Sequence, residues 1–300
     1  MRRRISMKSV IIIGDSNLMY SAADLINPKE MKLIGFGDTR STSWNVLDEE
    51  GNIKDTIEGM PIMPIDLVPS LEPDVVAVAA IDEQHNTALK YMIYRAGFMG
   101  DVIFFHDLAN QLSVRVSALR RLAYRLNYLG VDGAVADLGC YKGDTSWQLN
   151  ALMPDRKLYL FDTFDGFDPR DVAKEEELQC SKATAFQYHY KYDEEKLLGR
   201  LPHPEQAVIK KGWFPETALD MEDEKFALVH MDACLYNPTL AGLEFFFPRM
   251  SQGGVIILCG YENDDFAGVR KAVEDLEEKF GAFLMLPLGD LTGTVMIVHP

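Results

Sequence analysis

Val135-Ala-Asp-Leu-Gly-Cys-Tyr-Lys-Gly-Asp-Thr145 is the stretch whose reading decides the fold. Ala134 to Leu138 is short and mostly apolar, with Asp137 near its end, and is expected to be a buried strand. Gly139 and Gly143 bracket a tight turn. Asp144 or Thr145 is expected to cap a helix that begins at Ser146 and stops before Pro154. A turn of this kind brings backbone N–H groups close to a ligand, and glycine removes the Cβ atoms that would stand in the way. About twenty residues on, Lys157 to Phe161 predicts a second strand, ending in Asp162.

An acid at that strand end can accept hydrogen bonds from both ribose hydroxyls of a nucleotide cofactor. The glycine spacing is not the G-x-G-x-x-G of dinucleotide binders. Asp137-x-Gly139-x-x-x-Gly143 with a strand-terminal acid instead fits the S-adenosylmethionine (SAM) site of Rossmann-type methyltransferases. An ordinary strand–turn–helix of an α/β sheet is the plainer alternative. A third strand, Ala207 to Lys210, runs into Lys211-Gly-Trp-Phe-Pro-Glu-Thr217. There Gly212, Trp213 and Phe214 offer backbone polar groups and aromatic faces to an adenine. Phe226 to Met231 predicts a fourth strand ending in Asp232, and Asn237 to Phe247 a helix. Gly254 to Leu258 is a fifth strand ending in Cys259-Gly260-Tyr261, and Phe266 to Phe280 a helix. Phe283–Pro287 and Thr294–Val298, joined by a tight turn, predict an antiparallel pair. The expected fold is α/β: two Rossmann-like domains, the C-terminal one a seven-stranded methyltransferase sheet closed by a C-terminal antiparallel hairpin.

With these stretches together, the second half resembles the macrocin O-methyltransferase (TylF) family, SAM-dependent enzymes that methylate sugar hydroxyls. The resemblance rests on Asp137-x-Gly139-x-x-x-Gly143, Phe161-Asp-Thr-Phe-Asp-Gly166, Lys211-Gly-Trp-Phe-Pro-Glu-Thr217, Met231-Asp-Ala-Cys-Leu-Tyr236 and Pro248-Arg-Met-Ser-Gln-Gly-Gly254. It implies that Asp137, Gly139, Cys140, Tyr141, Lys142 and Gly143, with Asp162, Thr163 and Phe164, bind the methionine and ribose parts of SAM. Gly212, Trp213 and Phe214 would meet the adenine. Asp232 would be a metal ligand beside the acceptor hydroxyl, with His230 as a second catalytic candidate. The acceptor would be a sugar or sugar-nucleotide, whose hydroxyl a divalent cation would acidify and orient. This chain departs from the family pattern after the fifth strand. Two adjacent aspartates stand there in the family, where this chain has Cys259-Gly260. A single carboxylate is a poor site for Mg²⁺, which wants octahedral oxygen ligands, so a family-type magnesium site is not expected. Glu262, Asp264 and Asp265 lie downstream, but a shift of several residues moves a side chain by about 10 Å in extended chain. The substitution also admits a second reading, a binding or scaffold protein that keeps the SAM fold without metal-dependent catalysis. Cys140, Cys234 and Cys259 fall near strand ends that converge on one face and could hold a soft metal with His230 or Asp232. Burial as small apolar residues is the simpler role.

Residues 1–106 repeat a strand/helix alternation that predicts a small Rossmann-like domain. Gly14 follows its first strand and Asp38 ends its second. It resembles the small N-terminal domains that precede sugar-modifying transferases and bind a nucleotide-sugar, and a structural or dimerisation domain is the alternative. Glycines missing after Gly14 argue against an NAD-dependent oxidoreductase. Residues 45–56 suit a hairpin tip, and Pro61 to Val68 a loop and short edge. Residues 107–130 read as a helical connector, with Val114, Leu119, Leu122, Leu126 and Leu129 near helical spacing. That face would pack on the following domain, 131–300, or form a homo-oligomer. Arg170 to Leu201 is a charged insertion carrying Tyr188, His189, Tyr190 and Tyr192. It is either a lid over a substrate or a surface helix pair, with His189 read as a surface histidine.

The 300-residue chain carries a net charge of −16 and a sequence pI near 4.8. That argues against nucleic acid as a partner, because binding its backbone needs Lys/Arg patches. No apolar run reaches membrane-spanning length. After Arg2-Arg3-Arg4, the run Val10 to Ile13 is too short for a secretion leader. The 4 cysteines form no C-x-x-C pair, so a reducing, cytoplasmic setting is expected.

Overall fold

The computed structural model describes residues 7–14, 16–23, 25–39, 56–57, 60–80, 83–105, 107, 113–179 and 181–300. The hairpin tip expected over residues 45–55, Arg2 to Arg4, the connector's start at 108–112, and Cys180 lie outside them. The chain divides into two compact units, Met1–Ser113 and Val114–Pro300.

The first unit is built on β1 (Lys8–Gly14), β2 (Met31–Asp38), β3 (Thr56–Ile57), β4 (Met60–Pro64), β5 (Val75–Ala79) and β6 (Asp101–Phe104), in the order β3-β4-β2-β1-β5-β6. All neighbours are parallel except β3 and β4. The Val/Ile runs of β1 and β5 are buried throughout their centres because parallel strands are covered on both faces. Ile11, Ile13, Val76 and Val78 meet Leu89 and Ile93 of the helix Glu83–Arg95. The proline-bearing stretch read as loop and short edge is in part a true strand. Phe36, Gly37 and Asp38 pair with Ile62, Met63 and Pro64. Pro61 faces the two-residue β3 and Pro64 is the last residue of β4, so little of the ladder is lost. Gly14 has a packing reason of its own: a Cβ there would collide with the backbone carbonyl of Ala79.

The second unit contains β7 (Ala134–Leu138), β8 (Leu158–Asp162), β9 (Ala207–Lys211), β10 (Phe226–Met231), β11 (Met250–Leu258), β12 (Met285–Pro287) and β13 (Val295–Val298). Their order is β12-β13-β11-β10-β7-β8-β9. β13 runs antiparallel to β11 and β12, and every other pairing is parallel. This is the seven-stranded sheet with a C-terminal hairpin that the sequence predicts. Chain direction across the sheet reverses between β7 and β10, and the crevice beyond that point is where open α/β sheets bind ligands.

One face of the sheet packs Phe161, Phe214, Phe226 and Phe246 into an aromatic cluster. On the other, Leu119, Ala123 and Leu126 of the helix Val114–Leu129 bury against Val135, Leu149 and Leu158. Val114 and Leu129 of the same apolar series stay exposed at its ends. The helix after β7 starts earlier than expected, at Asp144, and no side chain caps it. Gly143, at φ +80°, makes the turn instead, and Asp144 pairs with Arg200 at 2.6 Å. Among the described residues no helix is long and apolar enough to cross a membrane.

Candidate active site

The turn after β7 is shaped by close approach. Gly139 has φ +81°, and a Cβ on it would collide with the backbone carbonyl of Asp232 at the end of β10. Tyr141 also takes a left-handed conformation, φ +45°, as does Phe164 at φ +57°. Both aim their N–H groups at one carboxylate. Tyr141 N donates to Asp162 Oδ2 at 2.8 Å and Phe164 N to Asp162 Oδ1 at 2.7 Å. Burial pushes the Asp162 pKa up and the repulsion of Asp137 adds to that. The two backbone donors pull against both. Asp162 is therefore held in one orientation at the tip of β8, with Thr163 Oγ1 a longer third neighbour at 3.5 Å from Oδ1 and a lone pair left on Oδ2 for a ligand hydroxyl.

A cleft opens at the C-terminal edge of β7, β8 and β10. Gly139, Tyr141, Asp162, Thr163, Gly212, Trp213, Phe214 and Asp232 all line it. Cys140, Lys142, Gly143 and Phe164 do not: Cys140 and Phe164 are buried behind the turn and Lys142 is exposed. Trp213 is fixed from two sides. Its Nε1 donates to Asp171 Oδ1 at 3.0 Å, and the Arg170 guanidinium stacks 3.8 Å above its ring. Burial raises the Asp171 pKa to about 6 despite hydrogen bonds from Trp213 and Asn237. The insertion brings Tyr190 to the cleft wall, edge-on to Tyr141 at 5.3 Å between ring centres, whereas His189 is exposed.

The residues assigned to the acceptor end form a chain of contacts. Asp137 does not reach the cleft. Its Oδ1 meets His230 Nδ1 at 2.8 Å and its Oδ2 accepts from Ser146 Oγ at 2.5 Å, all three buried. His230 Nε2 meets Cys259 Sγ at 3.2 Å. Burial disfavours the imidazolium, but Cys259 and Asp137 outweigh it and hold the His230 pKa well above the usual range. Beyond Cys259 stands Arg115, from the first turn of the helix Val114–Leu129. Its Nη1 lies 3.2 Å from Cys259 Sγ and 3.1 Å from Asp232 Oδ2. Its Nε is 3.7 Å from Asp290 Oδ2, and its Nη2 donates to Thr292 Oγ1 at 3.3 Å. Asp290 is itself pinned by Thr294 N at 2.8 Å and Thr294 Oγ1 at 2.6 Å.

These donors do not fit a divalent metal. One atom each of His230, Asp232 and Cys259 falls within 4.8 Å of the others, which is the spacing of a three-ligand site. Yet both His230 nitrogens are engaged, and the Arg115 cation sits against the other two members. Two of the three downstream acids are committed elsewhere: Asp264 pairs with Arg270 at 2.5 Å and Asp265 with Lys182 at 2.7 Å. Of the remaining thiols, burial pushes Cys140 and Cys234 well above the ordinary thiol range, which disfavours thiolate ligation.

Strand order, the glycine turn after the first strand and the acid after the second define the class: a Rossmann-like SAM-methyltransferase fold. Two solved structures share it. The O-methyltransferase NovP aligns with a TM-score of 0.52 at 20% identity, covering 62% of this chain and 79% of that one. The calicheamicin methyltransferase CalS11 aligns at 0.51 and 20%, covering 72% and 86%. The macrocin-O-methyltransferase (TylF) family profile matches residues 112–288, more than half of the chain, and the chain belongs to that family. Among curated proteins it is 26% identical over 179 residues to an 8-demethyl-8-(2,3-dimethoxy-α-L-rhamnosyl)-tetracenomycin-C 4'-O-methyltransferase of Streptomyces olivaceus, covering 55% of this chain and 65% of that protein. It is 25% identical over 167 residues to the mycinamicin III 3''-O-methyltransferase of Micromonospora griseorubida, covering 51% and 63%. The chain thus spans just under two thirds of the length of each of these relatives.

Proposed function

We propose that this protein is a SAM-dependent O-methyltransferase acting on a hydroxyl of a sugar or sugar-nucleotide. The observation that carries the reading is that Asp162 and Asp232, at the ends of neighbouring halves of the sheet, face one cleft at the topological switch point. Family membership supports methyl transfer, and the two curated relatives are both named as O-methyltransferases, one of them of a rhamnosyl-bearing tetracenomycin.

In this reading Asp162 binds the ribose hydroxyls and the turn from Gly139 to Gly143 cradles the methionine part. Gly212, Trp213 and Phe214 bound the adenine. SAM supplies the sulfonium methyl. The acceptor hydroxyl sits against Asp232 Oδ1, the oxygen not taken by Arg115, with His230 behind holding Cys259 in place. As the new C–O bond forms and the C–S bond breaks, the hydroxyl proton passes to Asp232. Holding oxygen and methyl in line makes the transfer effectively unimolecular. Three free cysteines, Cys140, Cys234 and Cys259, fit the reducing cytoplasmic setting expected from the sequence. Residues 1–106 remain a proposed nucleotide-sugar or structural domain.

Cys259-Gly260 favours one competing reading, a SAM-fold scaffold without turnover. Thermal unfolding with and without SAM, in Mg²⁺ and in EDTA, tests the cofactor site. Saturation at a hundred times the dissociation constant adds about 2.7 kcal/mol of stability, whereas no shift would sink the methyltransferase reading. Transfer of label from [methyl-³H]SAM to rhamnosides or sugar nucleotides then separates enzyme from scaffold.

A further inference from the structure

We propose that the Arg115 guanidinium is the resident cation of the acceptor end, a positioning residue that makes methyl transfer in this chain independent of a divalent metal. The proposal rests on the methyltransferase reading above. Its geometry stands without it.

Arg115 and Asp232 are both half-buried, and the arginine is held on several sides. Asp232 Oδ2, Cys259 Sγ, Asp290 Oδ2 and Thr292 Oγ1 surround its fork. These partners come from the ends of β10 and β11 and from the loop before β13, so three elements that follow each other across the sheet converge on one cation. Burial opposes its charge. Cys259, Asp232 and Asp290 overcome that and keep it protonated. A guanidinium is planar and always charged, and it presents donors in a fixed fork.

The arrangement has a chemical consequence. Arg115 holds Oδ2 of Asp232, a residue that lines the cleft, and leaves Oδ1 with only the distant Cys234 thiol at 3.9 Å, which restrains the carboxylate. Its positive charge also stands one carboxylate away from the acceptor oxygen, where it favours negative charge developing as the proton leaves. An ion entering between Asp232 and Cys259 would have to expel Arg115 and leave Asp290 partly uncompensated in a half-buried site. With Cys259-Gly260 after β11, the carboxylates that hold the cation are Asp232 and Asp290.

The test reads metal binding apart from activity. Mn²⁺ titration followed by electron paramagnetic resonance should show no stoichiometric site in the wild type or in Arg115→Lys. The triple variant Arg115→Ala, Cys259→Asp, Gly260→Asp should bind one ion, on the order of a hundred-fold more tightly than wild type. One Mn²⁺ held tightly by the wild type, and lost in Asp232→Ala, would overturn the proposal whatever the protein methylates. With methyl α-L-rhamnopyranoside as acceptor, wild-type turnover should change less than two-fold between EDTA and Mg²⁺. Arg115→Ala should lower kcat on the order of a hundred-fold with SAM affinity kept within three-fold, and Arg115→Lys should restore at least ten-fold of it. EDTA-sensitive wild-type turnover, or an Arg115→Ala variant of normal kcat, would equally overturn it. Absence of SAM binding to the wild type would instead remove the methyltransferase reading while leaving the Mn²⁺ result to judge the cation.

Discussion

His230 Nδ1 lies 2.8 Å from Asp137 Oδ1, and neither side chain reaches solvent. Residues 137 and 230 are register partners on the parallel strands β7 and β10, so the contact is fixed by the ladder itself. With Ser146 on the second oxygen, Asp137 ties together the strands that flank the switch point and the first helical turn beyond it. The acid that opens the glycine motif thus shapes the turn from behind, and its effect on any cofactor passes through the backbone.

Asp137→Ala would leave His230 and Ser146 without their partner in a dry interior. Removing one member of a buried charged pair costs roughly 3–5 kcal/mol, a large share of the stability of a single domain. Urea titration should show a loss of that size, greater than for any of the cleft-lining acids. A loss under about 1 kcal/mol would mean that the pair is neutral and replaceable.

Asp162 has a double duty that the sequence shows only in part. The strand-terminal position predicts that Asp162→Ala removes SAM binding and leaves the fold intact. The structure adds that Tyr141 and Phe164, both in left-handed conformations, lose the acceptor of their N–H groups. Asp162→Asn is the sharper variant, because its amide NH₂ must face one of those donors. We expect a stability loss of about 1–3 kcal/mol and at least a ten-fold loss of SAM affinity by calorimetry. Unchanged affinity would place the cofactor elsewhere.

Asp171 should make stability fall as pH rises. Burial raises its pKa from the usual carboxylate range to about 6. The protonated form is thus favoured by folding. That contribution is complete below about pH 4 and is lost as pH climbs through about 6. A rise of that size corresponds to roughly 3 kcal/mol. Asp171→Asn keeps an acceptor for Trp213 and Asn237 and carries no charge. The stability difference between this variant and wild type should grow between about pH 4 and pH 6.5 and then stay level. A difference independent of pH would show that Asp171 is ionised throughout at no cost.

Much of this architecture is legible in the chain. Strand-length Val/Ile runs, the Gly139–Gly143 turn, the acids at 162 and 232 and the Gly293-containing hairpin each declare themselves locally. What stays hidden is pairing across the sheet. Nothing near Arg115 distinguishes it from Arg120, Arg121 and Arg125 on the same helix, and its partners are 117 to 177 residues away. The one available signal is negative: Asp232 without the acid pair after β11 calls for a different neighbour. The start of the helix after β7 is obscured for a related reason. Asp144 looks like a cap by type, but Gly143 turns the chain and frees Asp144 to pair with Arg200.

Gly139→Ala should separate turn geometry from side-chain chemistry. The new methyl would press on the Asp232 carbonyl and the backbone is in the left-handed region, so either β10 or the turn must move. Strain of this kind costs about 1–3 kcal/mol. Because Tyr141 N follows the turn, its bond to Asp162 should loosen too. We expect weaker SAM binding together with faster exchange of the Tyr141 amide. A variant with native exchange and affinity would show that the close approach is relieved at no cost to the cleft.

The aromatic insertion divides into a face that lines the cleft and one that does not. Tyr190 lines the cleft and packs on Tyr141 and Phe167, at 5.3 and 5.0 Å, while its neighbour His189 is exposed. An aromatic wall contributes on the order of 1–2 kcal/mol to a ligand lying against it, roughly ten-fold in affinity. Tyr190→Ala should therefore weaken either SAM or the acceptor about ten-fold, and His189→Ala should change neither by more than two-fold. Measuring both ligands against both variants identifies which one the wall serves: a loss confined to the acceptor KM makes the insertion a specificity element. Equal, small effects from the two substitutions would make it a surface helix pair that merely borders the cleft.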